Sequence, residues 1–312
     1  MSRLALLSAA LLLVTACASE ATTSPPTTTA PRETTTTAST ACTAPGDQTD
    51  VGYVDNGDPL QRLDLYRPDS AGCSPVPVVV WVHGGGWLTG DKEYSVADKV
   101  PLWNDAGWAV ASINYRLTDA ALPENERVMA PTHNEDVAAA LGWLVDHADE
   151  LGIDAEHLAL LGHSAGAGVV AALAADPTYL AAVGLEPTDL GCVGPLDTEA
   201  FSIAAAVEGG PPLANVYEVV FGTDPDRWEE LSPLTHVGDA PIPPLFLVTR
   251  GTPARRQQVA DFARAVERSD GEVTVVDLPT FSHEDVNKRI GDPTDTQLTP
   301  ALANFLTTCL TG

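Results

Sequence analysis

The sequence predicts an α/β fold, a mostly parallel sheet with helices on both faces. Two observations carry this. Short strand-like runs alternate with helix-like stretches along the chain, which is the order a parallel sheet needs. One of those runs, 76–82, is continuously apolar and rich in valine, as a strand buried on both faces must be. The chain has 312 residues, 44% of them hydrophobic, enough to bury a sizeable core. No internal repeat is visible.

In order, segments 50–56 and 60–66 read as two edge strands joined by a turn at Gly57-Asp58-Pro59. Strand 76–82 follows, then strand 108–114. Helix 134–150 is signalled by Val137, Leu141, Leu144 and Ala148, which recur at three and four. A short strand at 158–161 leads into a helix at 165–175. Segments 203–207, 245–249 and 272–277 read as later strands, with helices at 257–269 and 300–309. The Gly- and Pro-rich stretch 209–234 reads as an excursion above the sheet.

The formal net charge is −27. Such acidity excludes a general nucleic-acid binder, because nothing would neutralise phosphates. It also argues against a basic patch on anionic lipid, and favours a self-repelling body in an extracellular setting. No apolar run reaches the roughly eighteen residues of a spanning helix.

Residues 1–16 read as an export signal, with Arg3 as its positive start and 4–14 as its apolar core. Val14, Ala16 and Cys17 resemble the lipobox of bacterial lipoproteins, a resemblance that implies lipidation of Cys17 and attachment to the cell membrane. Ordinary secretion, with cleavage elsewhere, is the alternative. Residues 17–42 comprise Cys17 and a Thr-, Ala-, Ser- and Pro-rich tether that cannot bury a core. The folded domain is expected over 43–312. Apart from Cys17 the chain holds Cys42, Cys73, Cys192 and Cys309, an even count that in an exported chain suggests two disulfides. Three pairings are open, and Cys42–Cys73 with Cys192–Cys309 is the one expected. No Cys or His spacing suggests zinc.

The chemistry concentrates in three motifs. Gly162-His163-Ser164-Ala165-Gly166 is G-x-S-x-G between a strand and a helix. There the serine hydroxyl stands at the carboxyl edge of the sheet, over a helix N-terminus that favours negative charge. His83-Gly84-Gly85-Gly86-Trp87 follows the buried strand. Acyl transfer needs fixed N–H donors aimed at an oxyanion, and the amides of Gly85, Gly86 and Ala165 are the candidates. The loop is not a phosphate-binding fingerprint, which would read G-K-[ST] or G-x-G-x-x-G. His283, in Phe281-Ser282-His283-Glu284-Asp285, is the one of seven histidines that follows the last strand. It is the candidate base for Ser164. His133, His147 and His157 are expected in solvated positions.

Together these motifs resemble the α/β-hydrolase superfamily, and more closely its HGGGW branch of hormone-sensitive-lipase-like and feruloyl-esterase-like bacterial esterases. Asn114-Tyr115-Arg116-Leu117, Gly90-Asp91-Lys92, and Val286-Asn287 with Ile290-Gly291 behind His283 look like that branch. The resemblance spans residues 50–310. It implies an α/β-hydrolase fold with an eight-stranded sheet, and hydrolysis of small carboxylic esters through an acyl-enzyme, without metal or cofactor. A formamidase-like amidase, or a degenerate binding protein of the same fold, are the rival readings.

One departure concerns the acid that orients the histidine. The family usually carries it after the seventh strand, in a stretch like H-G-x-x-D. Here that loop reads Arg250-Gly251-Thr252-Pro253-Ala254-Arg255-Arg256-Gln257, without a carboxylate. Glu208, after the run 203–207 read as the sixth strand, is the expected acid. Asp261 is the fallback, and a Ser–His dyad is the third solution.

Overall fold

The computed structural model describes residues 44–311. The expected export signal, Cys17, the tether and Cys42 lie outside the described residues.

Among the described residues eight strands form one sheet: β1 (Gln48–Gly52), β2 (Arg62–Tyr66), β3 (Val76–Val82), β4 (Ala109–Ile113), β5 (Ile153–His163), β6 (Cys192–Leu196), β7 (Leu245–Thr249) and β8 (Val273–Asp277). Their order is β1-β2-β4-β3-β5-β6-β7-β8. β1 and β2 pair antiparallel, as do β2 and β4, and every later neighbour is parallel. The parallel strands therefore all present their carboxyl ends along one edge, where functional loops gather.

Among the described residues there are also twelve α-helices: α1 (Lys99–Asp105), α2 (Thr132–Asp146), α3 (Ala148–Leu151), α4 (Ala165–Ala175), α5 (Pro177–Ala181), α6 (Ile203–Glu208), α7 (Leu213–Phe221), α8 (Pro225–Glu230), α9 (Pro233–His236), α10 (Pro253–Arg268), α11 (His283–Lys288) and α12 (Leu298–Leu310). The valine-rich run of β3 sorts by parity, since successive side chains point to opposite faces. Val78, Val80 and Val82 pack with α2, α4 and α10 residues such as Leu141, Val170 and Phe262. Val79 and Trp81 pack with Trp103 of α1, Val286 of α11 and Leu306 of α12. Burying each such side chain is worth about 1.5–3 kcal/mol.

The segment 203–207 is not a strand. It is α6, started by Ser202, whose hydroxyl accepts the Ala205 amide. Three consecutive alanines favour helix over strand. The sixth strand is Cys192–Leu196, with all five residues buried. Gly194 and Pro195 disguise it, because both are depleted from strand interiors. Pro195 has no N–H to donate, and β6 is in register with β7 only at Val193↔Leu245. The excursion at 209–234 is helical, built from α7, α8 and the start of α9.

Cys192, at the start of β6, is joined by a disulfide to Cys309 in α12. Cys73 is disulfide-bonded as well. The Cys192–Cys309 bond closes a loop of 117 residues, and long loops gain most from closure. Cys309→Ala is expected to lower the free energy of unfolding by about 2–4 kcal/mol in a urea titration. An unchanged midpoint would show that the link contributes nothing.

Candidate active site

β5 ends at His163, and Ser164 turns the chain into α4 with φ 58° and ψ −117°. That conformation is strained for any residue with a β-carbon. The turn is tight enough to require the flanking glycines. A β-carbon on Gly162 would lie 2.4 Å from the Gly166 carbonyl oxygen, and one on Gly166 would lie 2.3 Å from that of Val82. The Ser164 amide donates to the Leu196 carbonyl at 3.1 Å, which ties the turn to the end of β6. Ala165 opens α4, whose N-terminus faces the same edge.

The glycine loop is held by its carbonyls. The His83 Nδ1–H donates to the Gly84 carbonyl at 2.7 Å. The Gly85 carbonyl accepts from the amides of Leu88 and Thr89 at 3.2 and 3.1 Å. In a planar trans peptide, C=O and N–H point opposite ways. Fixing those two carbonyls therefore turns the Gly85 and Gly86 N–H groups to the other side. Neither amide donates to another backbone group among the described residues. Gly85, with φ 114°, has no room for a side chain, since a β-carbon would lie 1.9 Å from the Thr89 carbonyl.

The other motifs brace this loop. Tyr115 stacks on His83 with centroids 4.5 Å apart, and its hydroxyl donates to the His83 carbonyl at 3.0 Å. Asn114 binds the Lys92 amide and the Asp91 carboxylate, so G-D-K and N-Y-R-L form one network. Arg116 donates to both carboxylate oxygens of Asp136 in α2. His133 is buried, contrary to expectation. It bonds Thr118 at 3.1 Å, and burial pushes it down to about 3.

His283 begins α11. Its Nε2 lies 2.8 Å from Ser164 Oγ, and its Nδ1 lies 2.7 Å from Asp197 Oδ2. The neighbouring His163 ring lies 4.6 Å away, and its Nε2–H donates to the His283 carbonyl at 2.9 Å. Burial, and then the proximity of His283, push His163 down to about 3, so it stays a neutral donor.

The structure thus brings Ser164 and His283 together, and it replaces the expected acid. Glu208 is exposed at the C-terminus of α6. Asp261 lies in α10, bonded to Gln257 and Arg264. The carboxylate on His283 is Asp197, the first residue after β6. A position after the sixth strand is where Glu208 was expected, and the misplaced strand moved the choice eleven residues too far. The signal was Pro195-Leu196-Asp197, hidden by the proline.

The arginines that follow β7, at its end and in the first turn of α10, also belong here. Arg250 Nε donates to Asp197 Oδ2, the oxygen that faces His283. Arg255 donates to Oδ1 through Nε and Nη2, at 3.0 and 2.8 Å, and to the Asp197 carbonyl at 3.1 Å. Its remaining nitrogen pairs with Glu199. Arg256 turns outward to Asp277 at 2.8 Å. Asp197 is 2% exposed. Burial alone would raise its pKa, but the His283 hydrogen bond and the Arg255 and Arg250 charges outweigh burial and hold it at about 2.

A cleft of about 530 Å³ opens over Ser164, bounded by the glycine loop, Tyr94, His283 and Asn287. A hollow of about 560 Å³ lies elsewhere, among residues of α2, α5, α8 and α9. Its histidine, His236, is bonded to Asp239 and the Glu230 carbonyl rather than to a hydroxyl. The chemistry therefore belongs to the first cleft.

The comparisons agree with this geometry. Residues 63–214 match the model of the BD-FAE family. Two relatives from Mycobacterium tuberculosis are Esterase LipC, 34% identical over 120 residues, and Carboxylic ester hydrolase LipN, 37% identical over 140. The matches cover 38% and 42% of this chain but only 27% and 35% of those proteins. Thus the chain spans about a third of the length of the curated relatives it matches. A solved carbohydrate esterase from gut microbiota superposes with TM-score 0.69 at 19% identity, covering 86% of this chain and 98% of that one.

Asp197 also makes a stability prediction. Its folded pKa is depressed, so its contribution is present above the ordinary carboxylate pKa near 4. That contribution is lost as pH falls through about 2. Asp197→Asn leaves Arg250 and Arg255 facing an uncharged amide, which should cost about 3–5 kcal/mol at neutral pH. The gap to the parent protein, read by urea titration, should hold down to about pH 4 and narrow below it. A gap that already shrinks between pH 7 and 5 would contradict the assignment.

With this sheet, this serine turn and a BD-FAE match that spans both the glycine loop and Ser164, the chain has the α/β-hydrolase fold.

Proposed function

We propose that the protein is a serine esterase that cleaves small carboxylic esters through an acyl-enzyme, without a metal or cofactor. The observation that carries this is the continuous hydrogen-bond chain Ser164–His283–Asp197, at 2.8 and 2.7 Å. His283 Nε2 takes the proton of Ser164 Oγ as the oxygen attacks the ester carbonyl. The developing oxyanion is met by the amides of Gly85, Gly86 and Ala165, and one such donor is typically worth about 3–4 kcal/mol of barrier. Asp197 holds the Nδ1–H tautomer and stabilises the imidazolium. His283 then returns its proton to the leaving alcohol, and water released onto the acyl-enzyme repeats the sequence. The names of LipC and LipN support the ester over other acyl substrates.

The sequence pattern around Cys17 supports export with a lipid anchor at that cysteine, facing the cell exterior. A disulfide at Cys192–Cys309 fits an oxidising compartment.

Ser164→Ala should reduce turnover of a short p-nitrophenyl ester by about 10⁶-fold, as loss of the nucleophile does in subtilisin. Asp197→Asn should reduce it by about 10⁴-fold, while Glu208→Gln and Asp261→Asn stay near the parent rate. A parent-like rate in Asp197→Asn would remove it as the acid.

For the anchor, Cys17→Ala should move the protein from the detergent phase to the medium. Equal release of both forms would contradict lipidation.

A further inference from the structure

α11 carries His283 but has only six residues, far below the length at which a helix holds itself together. Its position must come from what grips it. At its start, Ser282 and Asp285 form a reciprocal cap, and His163 holds the His283 carbonyl. At its far end the grip is a lysine. Lys99, the first residue of α1, is 1% exposed. Its Nζ donates to the Asn287 carbonyl at 2.9 Å, to Asn287 Oδ1 at 2.8 Å and to the Ser95 carbonyl at 2.6 Å. The same Nζ sits 4.5 Å over the ring of Trp81, in the strand that ends at the glycine loop. Asn287 stands one helical turn after His283 and borders the catalytic cleft. Just beyond, Gly291 passes so near the Asp98 carbonyl that a β-carbon would lie 2.2 Å from it. The Val-Asn and Ile-Gly pairs behind the histidine are thereby explained. Val286 and Ile290 fill the core, Asn287 receives Lys99, and Gly291 permits the close pass.

We infer that Lys99 is a positioning residue, whose ammonium grips Asn287 and so fixes α11, and with it His283, against Ser164 and the glycine loop. This rests on the serine esterase reading. All three N–H groups are used, and each meets an oxygen that can only accept. A neutral amine has two, so its loss of a proton leaves one acceptor facing a lone pair. Burial pushes Lys99 down to about 7, with Asp98 opposing. The titratable groups acting here are Asp98, beside it in sequence, and the neutral His163 at the end of β5. α11 and β3 present Asn287 and Trp81, which do not titrate.

The test is the pH profile of kcat on a short p-nitrophenyl ester for the parent, Lys99→Met and Asn287→Asp. The parent should lose kcat on the alkaline side as Lys99 deprotonates. Asn287→Asp keeps an acceptor and adds a charge that favours the ammonium, so it should move that limb upward by about one pH unit or more. Lys99→Met should lower kcat at least about tenfold, with KM changed little, and should lack the limb. If Lys99→Met does not fold, the Asn287→Asp profile decides alone. An unmoved limb in Asn287→Asp, or parent-like kcat in Lys99→Met, overturns the inference while leaving the esterase intact. A parent protein without esterase activity overturns both.

Discussion

The site depends on one buried carboxylate. Asp197 is approached by His283, Arg250 and Arg255, and all three reach it from the segments that follow β7 and β8. A carboxylate this deeply buried is costly unless it is paired and hydrogen-bonded. The two guanidinium groups meet that cost from the segment after β7, the stretch in which the sequence offers arginines and no acid. The carboxylate follows β6, its counter-charges follow β7, and the histidine after β8 meets the carboxylate. Glu199 on Arg255 balances the second positive charge, so two carboxylates and two guanidinium groups share one pocket.

Other features serve to bring that carboxylate, the histidine and the serine to one place. The Ser164 amide is bonded to the last residue of β6, so Ser164 and Asp197 are tied to one strand end. The glycine loop is oriented through its carbonyls, by His83 and by the turn at Leu88 and Thr89. Tyr115 and Asn114 brace that loop from the end of β4. Each contact is modest, since a typical hydrogen bond contributes only about 1 kcal/mol net. Their value is geometric, because a donor or base misplaced by about 1 Å can cost two orders of magnitude in rate.

Much of this was legible in the sequence where the signal is local. Gly162-His163-Ser164-Ala165-Gly166 announces its turn because only glycine fits on either side of the serine. The β3 run of valines announces a buried strand, and the alternation of strands with helices announces a mostly parallel sheet. Asp197 was illegible for two reasons. β6 contains Gly194 and Pro195, which read as loop, while Ile203-Ala204-Ala205-Ala206-Val207 has branched residues at its ends and reads as strand. The partnership of Asp197 with Arg250 and Arg255 is made across more than fifty residues, and no spacing encodes it. His133 failed for a related reason: the ring and the hydroxyl that meet it come from Tyr115 and Thr118, on another segment.

The central claim is that Asp197 holds the Nδ1 proton of His283. The most direct measurement is the proton NMR spectrum of the protein at low temperature, searched for a far-downfield imidazole resonance. The resonance should be present in the parent protein and in Glu208→Gln, and absent in Asp197→Asn. Its persistence in Asp197→Asn, with loss in Glu208→Gln, would contradict the account.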